Sequence, residues 1–358
     1  MSDLLLVGAG HAHLYLVKHA EELAAAGYRV RLLAPRYFDY SGVASARAVG
    51  VLPDEAGRID VRALAEDAGV EFHQGTLAGL DLHARTGLAA DGAQLCFDVL
   101  SLNIGSVVTA ADVDVDPSVV RVKPLSGLAA LGPRLRAIGP QGAAVTVVGA
   151  GASGLELASH LALRRDVARV RLLEAGPVIG AGMPRGARDP VARLLAARGV
   201  AVSTGCVART ITDREVVCAD GRRVPHDIAV LTAGLAAPPL LAELGIGDER
   251  GVPVRETLQH VDRDEIYAVG DCAHFLAVPL ARIGVHGVRQ GPVLHRSLLA
   301  RARQQDLPVY TPKRYPLSIL DLGGGVGLAV LGRWWWFGRG ALRLKRYIDR
   351  RWLRTYTR

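Results

Sequence analysis

Two stretches of this chain share one design, and that repetition constrains the fold more than any other feature of the sequence. In the clearer copy an apolar β-rich run, Val145 to Val148, feeds Gly149-x-Gly151-x-x-Gly154; a helix-forming segment follows, and a second β-rich run, Val170 to Leu173, stops at Glu174. Strand, phosphate turn, helix and strand each have a task. Gly149 permits the tight turn, Gly151 lets the backbone approach a pyrophosphate, Gly154 allows close helix–strand packing, and the helix N-terminus faces the negative charge. Glu174 stands twenty residues beyond Gly154, where a carboxylate accepts from the adenosine ribose 2′-hydroxyl and repels a 2′-phosphate. The unit therefore predicts an NADH site rather than an NADPH site.

The other copy opens the chain. Leu4 to Val7 lead into Gly8-Ala9-Gly10, a helical stretch follows, and Val30-Arg31-Leu32-Leu33 closes the unit, echoing Val170-Arg171-Leu172-Leu173. Two such units imply two dinucleotides. The first departs from the ideal: His13 occupies the third glycine position, and its second strand ends in Ala34-Pro35 instead of an acid. His11 and His13 flank the turn, either as donors to a pyrophosphate or as plain polar residues of the first helical turn. Beyond each unit the plan also repeats. A meander from Leu77 to Phe97, turning near Arg85-Thr86-Gly87 and Asp91-Gly92, ends in a small-residue turn at Gly105; another, turning at Asp220-Gly221, ends at Gly234. Helices are expected over 59–70, 125–138 and 189–198.

A chain of 358 residues, half of them hydrophobic, buries more than one sizeable core, so two domains are expected. Its four cysteines, Cys96, Cys206, Cys218 and Cys272, contain no CxxC and suggest neither a disulfide framework nor a zinc site; a reducing cytoplasm is the expected compartment. The start of the chain has no basic, cleavable leader, and no apolar run is long enough to span a bilayer. The net charge of +8 is local: from Arg333 onward nine basic residues face one acid, Asp349, so residues 1–332 sum to zero. That distribution excludes a general nucleic-acid-binding surface.

Ile266 to Val269 is an apolar strand ending in Gly270-Asp271-Cys272-Ala273. It places a carboxylate at the strand's carboxyl edge, beside a helix start, as an acceptor for ribityl hydroxyls; the alternative is an ordinary N-cap aspartate. Gly287-Val288-Arg289-Gln290-Gly291-Pro292 then begins a helix running to about Arg303, and a helix start there would stabilise negative charge on a reduced flavin.

The double unit, the Ala268-to-Ala273 stretch and the two small-residue turns resemble the two-dinucleotide-binding flavoproteins, the pyridine nucleotide-disulfide oxidoreductase superfamily. Gly8 to His13, Tyr40-Ser41-Gly42, Gly284 to Pro292 and Lys345 to Arg350 are similar, more narrowly, to the branch containing type II NADH dehydrogenases and the selenide-water-dikinase-associated flavoproteins. The resemblance implies an α/β fold of two Rossmann-like domains: an FAD domain over 1–120 and 255–316, an inserted NAD(H) domain over 121–254, and a C-terminal hairpin and amphipathic helix over 317–358. It implies FAD held by Gly8, Gly10, His11, His13, Ser41, Gly105, Asp271, Cys272, Arg289 and Gln290, and NADH held by Gly149, Gly151, Gly154, Glu174 and Gly234. Hydride would pass from the nicotinamide to the flavin, with Glu156 of the Gly-x-x-Gly-x-Glu segment near the nicotinamide and Gln290 at the flavin as the catalytic pair. Type II dehydrogenases carry Gln-Gln where this chain has Arg289-Gln290. Disulfide reductases of the superfamily carry CxxxxC early in the chain, whereas here the first cysteine is Cys96, so dithiol chemistry is not expected.

The C-terminal segment reads as a hairpin around Gly323-Gly324-Gly325, then Trp334-Trp335-Trp336-Phe337, then a helix with Leu344, Tyr347, Ile348 and Trp352 on one face and basic residues on the other. Three roles fit it: docking on an anionic membrane surface, covering the flavin domain, or meeting a protein partner or a second copy of the chain. The leading expectation is a peripheral NADH:quinone oxidoreductase on the inner face of the cell membrane. Its rivals are a soluble NADH-dependent reductase of a small sulfur, selenium or other acceptor, and a non-catalytic FAD- or NADH-sensing interaction protein. Sulfide:quinone chemistry is disfavoured because Cys206 and Cys218 fall in the NAD-domain meander.

Overall fold

In the computed structural model, which describes residues 1–110, 112–139 and 141–357, the apolar β-rich runs become the inner strands of two parallel sheets. The first sheet has the order Ile266–Ala268, Val99–Leu102, Ser2–Val7, Tyr28–Ala34, Glu71–Gln74, all parallel. The second has the order Val120–Arg121, Ile228–Leu231, Ala143–Val148, Val167–Leu173, Ala201–Ser203, again parallel. Because helices cover both faces of such sheets, the central strands are apolar throughout rather than alternating; Val99–Leu102 and Ile228–Leu231 are buried at every position. The two sheets match position for position except at one edge. There the first recruits a strand from late in the chain and the second a strand from before its own glycine turn.

Each sheet anchors its own core. The crossover segments between them pair as a short antiparallel ribbon, Val107–Val108 with Leu235–Ala236. The meanders form small antiparallel sheets at 77–96 and 208–225. The segment 125–138, expected as one helix, is two, Leu125–Leu128 and Leu131–Ile138, and the helix expected from Asp189 begins at Arg185. Cys206 and Cys218 face one another across the second meander as a disulfide, their Cα atoms 5.6 Å apart. The cysteines were expected to form no disulfide framework, and this one bridge departs from that because the strand pairing of Ala208 with Cys218 brings the two together.

The C-terminal part also differs from expectation. Trp334–Gly338 forms a third strand on the hairpin Ser318–Asp321 and Gly327–Leu331, and the helix Arg339–Leu353 follows. Leu320, Leu322 and Leu328 belong to the core of the second sheet, whereas Trp352, Leu353 and Tyr356 pack on the core of the first. The buried face of the helix carries Ala341, Leu342, Lys345 and Asp349, while Tyr347 and Ile348, expected together on one apolar face with Leu344 and Trp352, are exposed. An i, i+4 ion pair between Lys345 and Asp349 neutralises the two charges and rotates the helix away from the purely apolar reading.

The two glycine turns solve one packing problem differently. A Cβ on Gly154 would lie 1.9 Å from the Gly149 carbonyl oxygen, so helix and turn touch as the fingerprint requires. At the matching place in the first unit stands the fully buried His13, whose ring bonds the Gly8 carbonyl at 2.6 Å and the Ser101 hydroxyl at 2.8 Å. His13 is therefore a packing residue and not a phosphate donor, which corrects its expected role. Burial lowers its pKa from 6.5 to about 4. The unfolded chain binds this proton below 6.5 and the folded chain only below about 4, so stability is lost as pH falls through that window, by about 1.4 kcal/mol per pH unit. Urea unfolding of His13→Gln should show a stability deficit at pH 7.5 that shrinks steadily down to pH 5; a deficit independent of pH would refute this role.

Candidate functional site

The carboxyl ends of the first strand and of Ile266–Ala268 lie on either side of Val99–Leu102, and Asn103 at its end ties the three together. The Asn103 Oδ1 accepts from the backbone N–H groups of Ala12 and His13 at 3.1 and 3.3 Å, and its Nδ2 donates to the Val269 carbonyl at 2.8 Å. Beside it a cavity of about 270 Å³ is lined by Gly10, His11, Ser41, Gly42, Gly105, Lys123, Glu156, Asp271 and Lys345 together with Leu125, Leu235, Ile319 and Leu320. Asp271 accepts from the Ser106 hydroxyl at 2.8 Å and faces Lys123 at 3.7 Å. Burial, and after it the Lys123 charge, lowers His11 to about 4. His11 thus faces the cavity neutral at physiological pH and offers a hydrogen bond rather than a positive charge.

Gln290 supports this cavity from behind: its Oε1 accepts from the Gly270 N–H at 2.6 Å, fixing the Gly-Asp turn, and its buried Nε2 has no partner among the described residues. Arg289 and Cys272 do not line the cavity. Arg289 acts electrostatically on His286 and Tyr310. The Cys272 thiol, pushed up by burial to about 11, points back to the carbonyls of Leu102 and Val269. Both follow from geometry, since successive residues of a turn or helix point in different directions.

A second cleft of about 870 Å³ opens at Gly151, on the N-terminus of the helix Ala152–Leu161, and runs past Gly180 to Gly186, Tyr315 and Trp335. Glu174 follows the second strand of the unit, its carboxylate accepting from the N–H groups of Ala150 at 2.7 Å and Gly176 at 2.8 Å. Gly234 lines neither cleft. Its φ of +75° and the 2.1 Å that would separate a Cβ from the Thr109 carbonyl oxygen assign it to the crossover ribbon. The two clefts share Ala152, Ile283, Ser318 and Leu320, so a ligand on either side of that wall meets the other there.

Glu156 sits at this junction. Its carboxylate accepts from the Ser45 hydroxyl at 3.1 Å and the Asp321 N–H at 2.7 Å, and burial raises its pKa. Across the cavity stands a residue the sequence reading treated as part of an outer basic face. Lys345 is 6% exposed and donates to the Gly42 carbonyl at 2.6 Å and to Asp349 at 2.9 Å, while Asp349 accepts from the Tyr40 hydroxyl at 2.9 Å. Trp352 stacks on Tyr40 at 4.8 Å and covers the pair. The i, i+4 spacing of Lys345 and Asp349 was the available signal. Among the described residues no cluster of His, Cys, Asp or Glu is arranged to hold a metal.

Two dinucleotide clefts meeting on parallel-sheet carboxyl edges define a flavoprotein oxidoreductase. The chain matches, over residues 2–293, the family described as pyridine nucleotide-disulphide oxidoreductase, and it belongs to that family. It is similar to an NADH dehydrogenase-like protein of Mycobacterium tuberculosis, 27% identical over 299 residues that cover 76% of this chain and 73% of the relative. It is also similar to a demethylphylloquinone reductase of Synechocystis sp., 30% identical over 135 residues that cover 36% of this chain and 33% of the relative. Among solved structures, NDH2 from Plasmodium falciparum in complex with NADH superposes with a TM-score of 0.82 at 13% identity, covering 97% of each chain. The protein is an NADH-dependent enzyme of the family, with FAD and NADH as cofactors. The cavity fits the flavin: it offers a glycine turn at a helix N-terminus, a carboxylate at Asp271, and small residues at Gly284 and Gly287 where the helix Gly284–Ala302 begins.

Exchanging Glu174 for Gln removes the negative charge expected to exclude a 2′-phosphate. The ratio of NADH to NADPH affinity should fall about tenfold, roughly 1.4 kcal/mol, in fluorescence titrations; an unchanged ratio would place the adenosine ribose elsewhere.

Proposed function

We propose that this enzyme passes the two electrons of NADH through FAD to a quinone. FAD, when bound, supplies the acceptor for the nicotinamide hydride and the store from which electrons leave. The protein's task is then to hold two planar rings across the wall shared by the two clefts, and to present protons where the acceptor lands. The observation that carries the quinone reading is the make-up of the cavity. An aliphatic side formed by Leu125, Leu235, Ile319 and Leu320 stands beside the Lys345 ammonium and the Glu156 carboxyl. An aliphatic wall beside a carboxyl and a lysine suits an acceptor that enters as a flat hydrophobic ring and gains two O–H bonds on reduction. The name of the Synechocystis relative, a demethylphylloquinone reductase, supports the quinone, and that of the Mycobacterium relative supports NADH as the donor.

A membrane-dissolved substrate accords with the outer surface of the C-terminal helix. Arg343, Arg346, Arg350, Arg351 and Arg354 surround a groove of about 790 Å³ with Lys18 and Tyr347, and none of these arginines has an acidic partner among the described residues. Trp334, 81% exposed, and Trp336 stand on the neighbouring strand. Arginines and interfacial tryptophans on one surface match an anionic bilayer; among the described residues no helix is long and apolar enough to cross one.

NADH should bleach the anaerobic yellow protein, and a short-chain quinone should restore the colour within the turnover time. Bleaching without restoration would move the assignment to a small water-soluble acceptor. In flotation assays the protein should rise with vesicles containing anionic phospholipid and stay behind with neutral ones. Equal behaviour with both would remove the membrane from the proposal.

A further inference from the structure

The strand Trp334–Gly338 begins with three consecutive tryptophans, and the pleat divides them between the two faces of its sheet. Trp334 and Trp336 share one face; Trp335 and Phe337 share the other. Trp335 pairs with Val330 and Phe337 with Leu328, and residues directly opposite one another project to the same side. Leu328 is buried in the core of the second sheet, and Val330 and Phe337 pack against that core. Trp335 therefore stands on the inward face of its sheet, yet it is 42% exposed. The space it meets there is the cleft that opens at Gly151.

The register says how far along the cleft this residue stands. Ser318 pairs with Val330, and Val330 with Trp335. All three line the cleft, and Ser318 belongs to the wall shared with the flavin cavity. Neighbouring strands lie about 4.8 Å apart, so the backbone of Trp335 is about 10 Å from that wall. Arg185 and Arg333 line the same cleft, neither with an acidic partner among the described residues, and the indole N–H has no acceptor among them. Beside the indole is Gly186, in the first turn of the helix Arg185–Ala197. A Cβ there would lie 3.0 Å from the indole Nε1. Glycine is a poor helix former, and here it leaves room for the ring.

Glu174, expected at the adenosine ribose, does not line this cleft. The half of the dinucleotide within reach of Trp335 is thus the nicotinamide half, which extends its ribose and phosphate away from the wall where its ring meets the flavin. We propose that Trp335 is an NADH-binding residue: its indole covers the nicotinamide ribose and phosphate from the C-terminal sheet, with Arg185 and Arg333 supplying positive charge to the pyrophosphate. A rigid aromatic gives a large contact area at low entropic cost. The inference holds whichever acceptor receives the electrons.

The test is calorimetric and uses the FAD-loaded full chain with two ligands. One is tetrahydro-NADH, a saturated analogue that keeps the whole dinucleotide and donates no hydride; the other is AMP, the adenosine half alone. Trp335→Ala should weaken tetrahydro-NADH about tenfold and leave AMP unchanged, and Trp335→Phe, which keeps a ring in place, should recover most of the loss. Trp334→Ala, on the opposite face of the strand, should alter neither affinity. With ferricyanide as acceptor, Trp335→Ala should raise the KM for NADH and spare kcat, since the contact is made equally before and during hydride transfer. An unchanged affinity for tetrahydro-NADH in Trp335→Ala would overturn the proposal. So would equal weakening of both ligands, which would make the indole a prop of the whole second unit, or a fall in kcat at unchanged KM.

Discussion

The Asn103 side chain is the interaction on which the flavin-side architecture depends. With two atoms it ties the N-terminus of the first helix to the end of a strand more than 160 residues later in the chain. Both bonds are buried, and losing either would strand a polar group in a dry interior at a cost of about 1–3 kcal/mol. The glycine turns, the Gly270-Asp271 bend and the Gln290 amide behind it take their positions from this bridge. In the second domain Thr232 has the corresponding place, its hydroxyl donating to the carbonyls of Val148 and Gly149. A short hydroxyl suffices there because Gly154 lets the helix come close; the first domain, with His13 in that position, uses the longer amide.

From the two bridges the chemistry follows in order. Parallel strands direct their carboxyl ends, and the helix N-termini after them, toward a common edge. The clefts built on those edges meet at Ala152 and Leu320, and Glu156 is on the helix that begins at the meeting point. Its burial pushes the carboxyl pKa up, and Lys345, paired with Asp349, lines the same cavity. A buried carboxyl from the second glycine-turn unit and a lysine from the C-terminal helix, brought to one cavity, form an environment that neither domain makes alone.

Much of this was legible in the sequence. The glycine spacing, the apolar runs and Glu174 are local signals, and the duplicated plan follows from them because parallel strands flanked by helices admit few arrangements. The roles of His13 and Cys272 were not legible: proximity to a turn in sequence does not say which way a side chain points. Asn103 was overlooked because a lone asparagine after a strand has no pattern to mark it, and its partners are distant in the chain. Lys345 was placed on the wrong face since a helix rich in arginine reads as amphipathic by charge, and only the neutralising Asp349 shows that a lysine belongs inside. The third C-terminal strand was hidden in a run of aromatic residues with no polar alternation to mark it as extended.

The last forty residues divide their loyalties: the three-stranded sheet is built into the NAD-domain core, and after Gly338, at φ +123°, the helix lies across the FAD domain. They act as a clasp fastened at both ends. Domains joined only by a two-residue ribbon would hinge freely, whereas this pair can separate only by tearing an aromatic stack and a buried ion pair from their seats. The placement of the two clefts relative to one another is therefore held from the C-terminal end of the chain as well as by the ribbon between the sheets.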